Sequence, residues 1–147
     1  MATAVANPDK QSDKIELSPG GKMLAIANRK DFNISLWDGE KLESRGVLKG
    51  HKKYIAGMTF SPDGKYLLTC GSDHEAILWN VDKAEKIRSL GTGNRSANGV
   101  AFSPDGKYLA IGCNDADIRV YATASGARFT KFSMPDRAAP QRITFTR

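Results

Sequence analysis

The stretch FSPDGKYLL at residues 60–68 recurs as FSPDGKYLA at residues 102–110, an offset of 42 positions. A third copy, LSPGGKMLA, precedes them at residues 17–25. An aspartate and an aromatic residue follow each copy with the same period of 42; they are Asp31, Asp73 and Asp115, and Trp37, Trp79 and Tyr121. Because two separate features share one period, the sequence indicates an internal repeat.

Each copy of the repeat has room for four short strands joined by tight turns. In Ser-Pro-Asp-Gly, proline fixes φ at the second turn position and glycine is free to adopt a positive φ. The runs at residues 66–70 and 76–79 are almost continuously apolar, which is typical of strands covered on both faces. A repeat of about 40–45 residues with four strands is the signature of a β-propeller blade. We therefore predict an all-β fold with three four-stranded antiparallel blades, over about residues 14–49, 50–91 and 92–134.

The motif residues resemble those of the WD-repeat β-propeller family over about residues 14–146. Gly50-His51 matches the family's Gly-His pair, and Trp37-Asp38 matches its Trp-Asp pair. Trp79-Asn80 and Tyr121-Ala122 are weaker versions of the second pair. The resemblance implies a fold in which each blade buries its faces against its neighbours.

The resemblance also implies a buried hydrogen-bond relay in the second blade, formed by His51, Thr69, Asp73 and Trp79. A hydroxyl, an imidazole and a carboxylate are also the parts of a nucleophilic triad. The relay ends on an indole, however, and the other copies keep the aspartate but have Ile111, and Ala25 or Ile26, near the hydroxyl position. We therefore interpret the set as structural and predict no catalytic residue and no enzyme activity.

Partner-binding residues are also implied by the resemblance, because partners of WD-repeat propellers commonly dock on one rim of the ring. The residues that precede the repeated aspartates on that rim are Lys30, Ser72 and Asn114, and the loops entering the first strands add Tyr54 and Arg95. Tyrosine and arginine are enriched at interfaces. The alternative for Tyr54 is packing on its own blade, and for Lys30 and Arg95 it is plain solvated surface.

No metal or cofactor is expected. Cys70 and His74 are four residues apart, with His51 and Cys113 elsewhere, but four ligands at zinc spacing are not present. Cys70 is expected to be a small core residue, and His74 a solvated turn residue. Gly91-Thr92-Gly93 opens no phosphate-binding Lys-Ser/Thr helix.

Composition narrows the classes of protein further. The chain of 147 residues is 40% hydrophobic and 26% charged, which is typical of a soluble globular protein. Its net charge of +6 comes from lysines and arginines scattered among acidic residues, so charge permits a nucleic-acid partner without indicating one. The two cysteines make no disulfide framework, and neither a secretion signal nor a membrane span is evident. These features favour the cytoplasm or the nucleus.

The two ends of the sequence complete the domain prediction. Residues 1–13 are predicted to be a flexible extension, and residues 141–146 align with the first strand of a further blade. Three blades span less than a typical ring of 4–8, so the terminal blades are expected to expose apolar faces. Three explanations stay open: a fragment of a longer propeller, a split half that joins another polypeptide, or a chain that self-associates.

From these observations we predict a non-catalytic scaffold that presents a propeller rim to partner proteins or peptides. One alternative is a recruiting or assembly subunit of a larger ubiquitin-ligase, RNA-processing or trafficking complex. A second alternative is a basic propeller that binds nucleic acid, which would need basic residues concentrated on one rim.

Overall fold

The computed structural model describes residues 14–135, 140 and 143–145, and it contains three four-stranded antiparallel sheets. The first sheet consists of β1 (Lys14–Leu17), β2 (Met23–Ala27), β3 (Ile34–Asp38) and β4 (Ser44–Leu48). The second consists of β5 (Ile55–Phe60), β6 (Tyr66–Gly71), β7 (Glu75–Asn80) and β8 (Glu85–Gly91). The third consists of β9 (Ala97–Phe102), β10 (Tyr108–Cys113), β11 (Asp117–Ala122) and β12 (Arg128–Ser133). A short 3₁₀ turn at Pro19–Gly21 lies between β1 and β2.

Each sheet pairs its strands in chain order, so every sheet is a propeller blade of the predicted kind. The innermost strands β1, β5 and β9 line one shared cavity of about 580 Å³. The prediction of an all-β propeller segment with three four-stranded blades is therefore confirmed. The predicted extension at residues 1–13 lies outside the described residues.

The repeated Ser-Pro-Asp-Gly sequence forms the turn between the first two strands of a blade. In the second blade, Ser61 Oγ donates to Asp63 Oδ1 at 2.6 Å and accepts the N–H of Tyr66 at 2.9 Å. Gly64 closes the turn at φ +73°, a conformation that a residue with a side chain rarely adopts. The turn of the third blade repeats this geometry, which explains why these letters recur so faithfully.

Apolar residues fill the space between successive blades. Along β6, Leu67 belongs to the cluster shared with the first blade, whereas Leu68 and Cys70 belong to the cluster shared with the third. Trp79 on β7 also belongs to the first of these clusters. Both faces of the middle strands are therefore covered, which is why their sequences are nearly continuous in hydrophobicity.

One repeated position shows what the stacking of blades contributes. Leu48 on β4 and Leu90 on β8, 42 residues apart, are 1% and 4% exposed. Phe132 on β12, another 42 residues on, is 58% exposed. The first two leucines are each covered by the following blade, and Phe132 has no such blade beside it in the part of the chain that the structure describes. The terminal blades thus expose apolar faces, as the repeat predicts.

Part of the segment predicted as a further first strand is described. Ile143–Phe145 line the shared cavity beside the innermost strands, and Pro140 and Ile143 approach Gly112 on β10. These residues lie where the first strand of a next blade would stand, but residues 143–145 are not assigned to a sheet. Residues 141, 142 and 146 of this prediction lie outside the described residues.

Candidate protein-interaction rim

Two sets of loops lie at opposite ends of the blades, because consecutive antiparallel strands reverse direction. We define the upper rim as the loops that follow the second and fourth strands of the blades, at residues 28–33, 49–54, 72–74, 92–96 and 114–116. We define the lower rim as the loops that follow the first and third strands of each blade, at residues 18–22, 39–43, 61–65, 81–84, 103–107 and 123–127. All five residues that the sequence points to as partner contacts lie on the upper rim.

The relay of the second blade runs from the core to the upper rim. Trp79 Nε1 donates to Thr69 Oγ1 at 2.9 Å, and Thr69 Oγ1 lies 2.7 Å from His51 Nε2. His51 Nδ1 lies 2.8 Å from Asp73 Oδ2. Every donor meets an acceptor if the Thr69 hydroxyl donates to Nε2 and Nδ1–H donates to the carboxylate. The relay satisfies polar groups that would otherwise be buried without partners.

Asp73 connects this relay to the backbone of two upper-rim loops. Its Oδ2 also accepts the N–H of Lys52 at 2.9 Å, and its Oδ1 accepts the N–H of Glu75. Burial would raise the pKa of Asp73, but the N–H groups of Lys52 and Glu75 and the His51 ring outweigh it and hold the pKa below its ordinary value. The ionised carboxylate thus fastens the loop at 49–54 to the loop at 72–74.

The relay offers no route for a substrate to its hydroxyl. Thr69 is 0% exposed, and its oxygen is already bonded to the indole of Trp79 and the imidazole of His51. A nucleophile needs an accessible oxygen beside donors that stabilise an oxyanion. The geometry therefore favours the structural interpretation of these four residues over the catalytic one.

In the first blade the indole N–H of the tryptophan has a different hydrogen-bond acceptor, which was not predicted from the sequence. The strand register pairs Leu24 with Trp37 as it pairs Leu67 with Trp79, so Ile26 takes the place of Thr69. The missing hydroxyl comes instead from Ser35, whose Oγ accepts Trp37 Nε1–H at 3.0 Å. The signal in the sequence was a serine two positions before the tryptophan on the same strand.

The third blade replaces the imidazole of the relay by a guanidinium. Gly93 stands 42 residues after His51, and Arg119 stands 42 residues after Ile77. Arg119 Nη2 lies 2.7 Å from Asp115 Oδ2, and a Cβ on Gly93 would be only 3.1 Å from that nitrogen. Hydrogen bonding to Asp115 raises the pKa of buried Arg119 above its ordinary value. Glycine therefore leaves the space that arginine fills.

The remaining repeated aspartate, Asp31 of the first blade, has a different environment. Asp31 is exposed, and its Oδ1 accepts the N–H of Asn33 at 3.0 Å within its own loop. Asp73 and Asp115 connect a turn to a buried side chain, whereas Asp31 shapes a surface turn. The three aspartates share a position in the repeat but differ in the partner that they bind.

Tyr54 lies half-buried at the boundary between the first and second blades. The Arg29 guanidinium lies over its ring, 4.6 Å from the ring centre, in the geometry of a cation–π contact. The carbonyl of Tyr54 accepts the N–H of Ser72 at 2.9 Å, so these two residues, both predicted to contact a partner, are neighbours. Arg29 was not singled out from the sequence, because arginine in a loop carries no signal of its partner.

The other predicted rim residues lie on separate loops of the same surface. Lys30 and Arg95 are exposed and follow Arg29 and Asn94 in their loops. Asn114 is exposed, its N–H donates to the carbonyl of Ser96, and its side chain bonds to that of Asn98. Their role in partner binding stays a prediction.

The candidate metal ligands do not form a cluster in the described part of the chain. Cys70 and Cys113 are buried free thiols, and burial raises the pKa of Cys70 to about 12. His74 is exposed at φ +66° in the turn before β7. Among residues 14–135, 140 and 143–145, no group of three or more His, Cys, Asp or Glu side chains could hold a metal ion. No helix within those residues is long and apolar enough to cross a membrane.

Similarity searches find relatives that share short parts of this chain. It is 37% identical over 43 residues to DDB1- and CUL4-associated factor 13 of Dictyostelium discoideum, covering 29% of this chain and 10% of that protein. It is 32% identical over 74 residues to target of rapamycin complex subunit LST8 of Saccharomyces cerevisiae, covering 46% of this chain and 24% of that protein. The chain thus spans at most about a quarter of the length of these relatives.

A solved structure and a family model extend the similarity to the fold. Hydrazine synthase of Kuenenia stuttgartiensis superposes with a TM-score of 0.78 over 95% of this chain and 42% of the other chain. At 19% identity, that likeness concerns the fold alone. The family model described as "WD domain, G-beta repeat" matches residues 42–80 and 85–122, just over half of the 147 residues. With the blades, the relay and this match together, the chain belongs to the WD-repeat family.

Proposed function

We propose that this chain is a non-catalytic scaffold whose upper rim binds partner proteins or peptides. The observation that carries the proposal is the way this rim is held. Lys52 and His51 are bonded to Asp73, and Tyr54 to Ser72, so two loops are fixed on a blade that is anchored in the core. Rigid loops lose little conformational freedom on binding, which favours affinity.

Tyr54 and Arg29 are the proposed centre of the binding surface. The ring and the guanidinium together form a flat, partly apolar surface with polar edges, at the boundary of two blades. Interface hot spots are enriched in these two residue types. Lys30, Ser72, Asn114 and Arg95 extend the proposed surface over the neighbouring loops.

A second proposal concerns assembly, and the exposed terminal faces support it. Phe129 and Phe132 are exposed on the third blade, and Ile15 and Leu17 are exposed on the first. We infer that further blades, supplied by the same or another polypeptide, or by a second copy, cover these faces. The names of the relatives, an associated factor and a complex subunit, agree with a role inside a larger assembly. A ubiquitin-ligase, RNA-processing or trafficking setting, in the cytoplasm or the nucleus, remains part of this proposal.

Site-specific cross-linking tests the rim proposal. A photoreactive amino acid is placed at Lys30 on the upper rim and, as a matched control, at exposed Lys83 on the lower rim. Cross-linked proteins from a cell extract are identified by mass spectrometry, with and without Tyr54→Ala. We expect a defined set of proteins at position 30 that Tyr54→Ala removes. The same proteins at position 83, or no effect of Tyr54→Ala, would contradict the proposal.

A further inference from the structure

The charges that look scattered along the chain are segregated in the fold. The upper-rim loops carry six cations, Arg29, Lys30, Lys49, Lys52, Lys53 and Arg95, against three carboxylates, Asp31, Asp73 and Asp115. The lower-rim loops carry five cations, Lys22, Lys41, Lys65, Lys83 and Lys107, against five carboxylates, Glu40, Glu43, Asp63, Asp82 and Asp105. One rim is therefore basic and the other is balanced.

Two of the three upper-rim carboxylates are already engaged by hydrogen bonds or an ion pair within the fold. Asp73 accepts from His51 and from the N–H of Lys52, and its side chain is almost fully buried. Asp115 is paired with Arg119, a residue of β11 that is outside the count of rim cations. Of the three, only Asp31 is exposed and free to contact an incoming partner.

The six cations, by contrast, have no acidic partner in the described part of the chain. Among residues 14–135, 140 and 143–145, none of them lies within 4.0 Å of a carboxylate oxygen. All except Arg29 are exposed. Arg29 is half-buried over Tyr54, and its Nε is buried without a hydrogen-bond partner in this region. Positive charge at partly desolvated positions strengthens attraction to an incoming anion.

Direct contacts join the basic loops into one surface. The loop at 28–33 meets the loop at 49–54 through Arg29 and Tyr54. The loop at 49–54 meets the loop at 72–74 through Lys52 and Asp73. Thr92 Oγ1 then donates to the carbonyl of His74, which adds the loop that carries Arg95. The loops that carry the cations are therefore held next to one another.

We propose that the upper rim recognises an acidic segment of a partner protein, whose Asp and Glu side chains contact Lys30, Lys52, Lys53 and Arg95. This inference rests on the proposed function and names the chemistry of its partner. A polypeptide fits better than a single-stranded nucleic acid, because proteins that bind single strands combine a basic groove with aromatic side chains on which the bases stack. The five upper-rim loops contain two Phe, Tyr or Trp residues, Phe32 and Tyr54. One face of the Tyr54 ring is already covered by the Arg29 guanidinium.

Fluorescence anisotropy with defined probes tests this inference on the full chain. The probes are a labelled twelve-residue peptide of alternating Glu and Gly-Ser residues, the same peptide with Gln for Glu, and a single-stranded oligothymidine. The variants are Lys52→Glu/Lys53→Glu on the upper rim and Lys65→Glu/Lys83→Glu on the lower rim, which change the net charge equally. All four lysines are exposed, so we expect both variants to fold equally well. Circular dichroism checks this expectation.

We expect saturable binding of the Glu peptide that weakens as salt rises from about 50 to about 200 mM and is absent for the Gln peptide. Lys52→Glu/Lys53→Glu should weaken binding by about tenfold or more, and Lys65→Glu/Lys83→Glu by less than about twofold. Equal losses in both variants would overturn the inference, as would oligothymidine binding more tightly than the Glu peptide. Cross-linking at Lys30 that still depends on Tyr54, without Glu-peptide binding, would refute the acidic partner and leave the rim function standing.

Discussion

The residues that hold the upper rim in place are buried polar groups, and they stabilise the fold only if each has a hydrogen-bond partner. Thr69 is the clearest case, because one oxygen serves the indole of Trp79 and the imidazole of His51 inside the core. A buried donor or acceptor that loses its partner costs about 1–3 kcal/mol. We therefore expect the relay to contribute to the stability of the second blade and to hold the loop that carries Tyr54.

We predict that Thr69→Val, which keeps the shape and removes the hydroxyl, lowers the free energy of unfolding by about 1–3 kcal/mol. The expected loss arises because Trp79 Nε1–H and His51 Nε2 are left unpaired in the core. Urea denaturation followed by tryptophan fluorescence measures it. Thr130→Val on β12, where Thr130 is half-buried and forms no side-chain hydrogen bond within the described residues, is the matched control. Equal stability of both variants would show that the relay does not stabilise the blade.

The same relay predicts a dependence of stability on pH. Hydrogen bonds hold the pKa of Asp73 below its ordinary value of 3.8, so the folded state binds its proton less readily than the unfolded state. The stabilisation is present above the ordinary pKa of 3.8 and is lost progressively as the pH falls through that value and then through the lower folded pKa. Asp73→Asn should be less stable than the parent at pH 7 and should lose less stability between pH 5 and pH 3. If the urea midpoints of the two proteins fell by the same amount between pH 5 and pH 3, this assignment would be contradicted.

At the scale of strands and turns, the third blade shows how one repeat position can be rebuilt. Asp115 is bound by two nitrogens of Arg119, which reaches across from β11 into the space that Gly93 leaves open. This paired contact replaces the imidazole of the second blade and fastens the turn at 114–116 to the following strand. The forked guanidinium matches a carboxylate in a way that an ammonium does not.

We predict that Arg119→Lys destabilises the third blade by about 1 kcal/mol or more although the charge is kept. The single ammonium cannot bond both oxygens of Asp115, and the space beside Gly93 is left partly empty. Arg128→Lys, at an exposed position on the neighbouring strand, is the control and should be near neutral. Hydrogen exchange should also report faster opening of the N–H of Asp117, which bonds to Asp115. Unchanged exchange there would mean that the turn does not depend on the paired contact.

The strands and their turns could be predicted from the sequence because both are local and repeat every 42 or 43 residues. Ser61 and Gly64 dictate a turn whatever surrounds them, and Leu67 and Leu68 need a neighbour on each face. The substitutes for the relay could not be predicted in this way. Arg119 and Gly93 are 26 positions apart, and each alone looks like a departure from the repeat. The basic rim was also hidden, because its charges come from loops that only the fold brings together.

At the scale of the whole molecule, the terminal faces decide how the chain behaves in solution. The position that holds buried Leu48 and Leu90 in the first two blades holds exposed Phe132 in the third. Leu17 on the first blade is exposed as well, where its counterpart Phe60 is buried. Exposed apolar faces of this kind favour association, and their residues occupy the repeat positions that are buried between successive blades.

We therefore predict that the 147-residue chain, studied alone, self-associates through these faces. Sedimentation velocity should show species larger than the monomer at micromolar concentration, and Phe132→Lys should shift them toward the monomer because it places a charge in the contact. Leu17→Lys should act in the same direction if opposite faces meet head to tail. Leu42→Lys is the control, since Leu42 is 53% exposed, close to the 58% of Phe132, but lies on the lower rim. A monomer that unfolds cooperatively, or an equal effect of Leu42→Lys, would rule out association through the terminal blades.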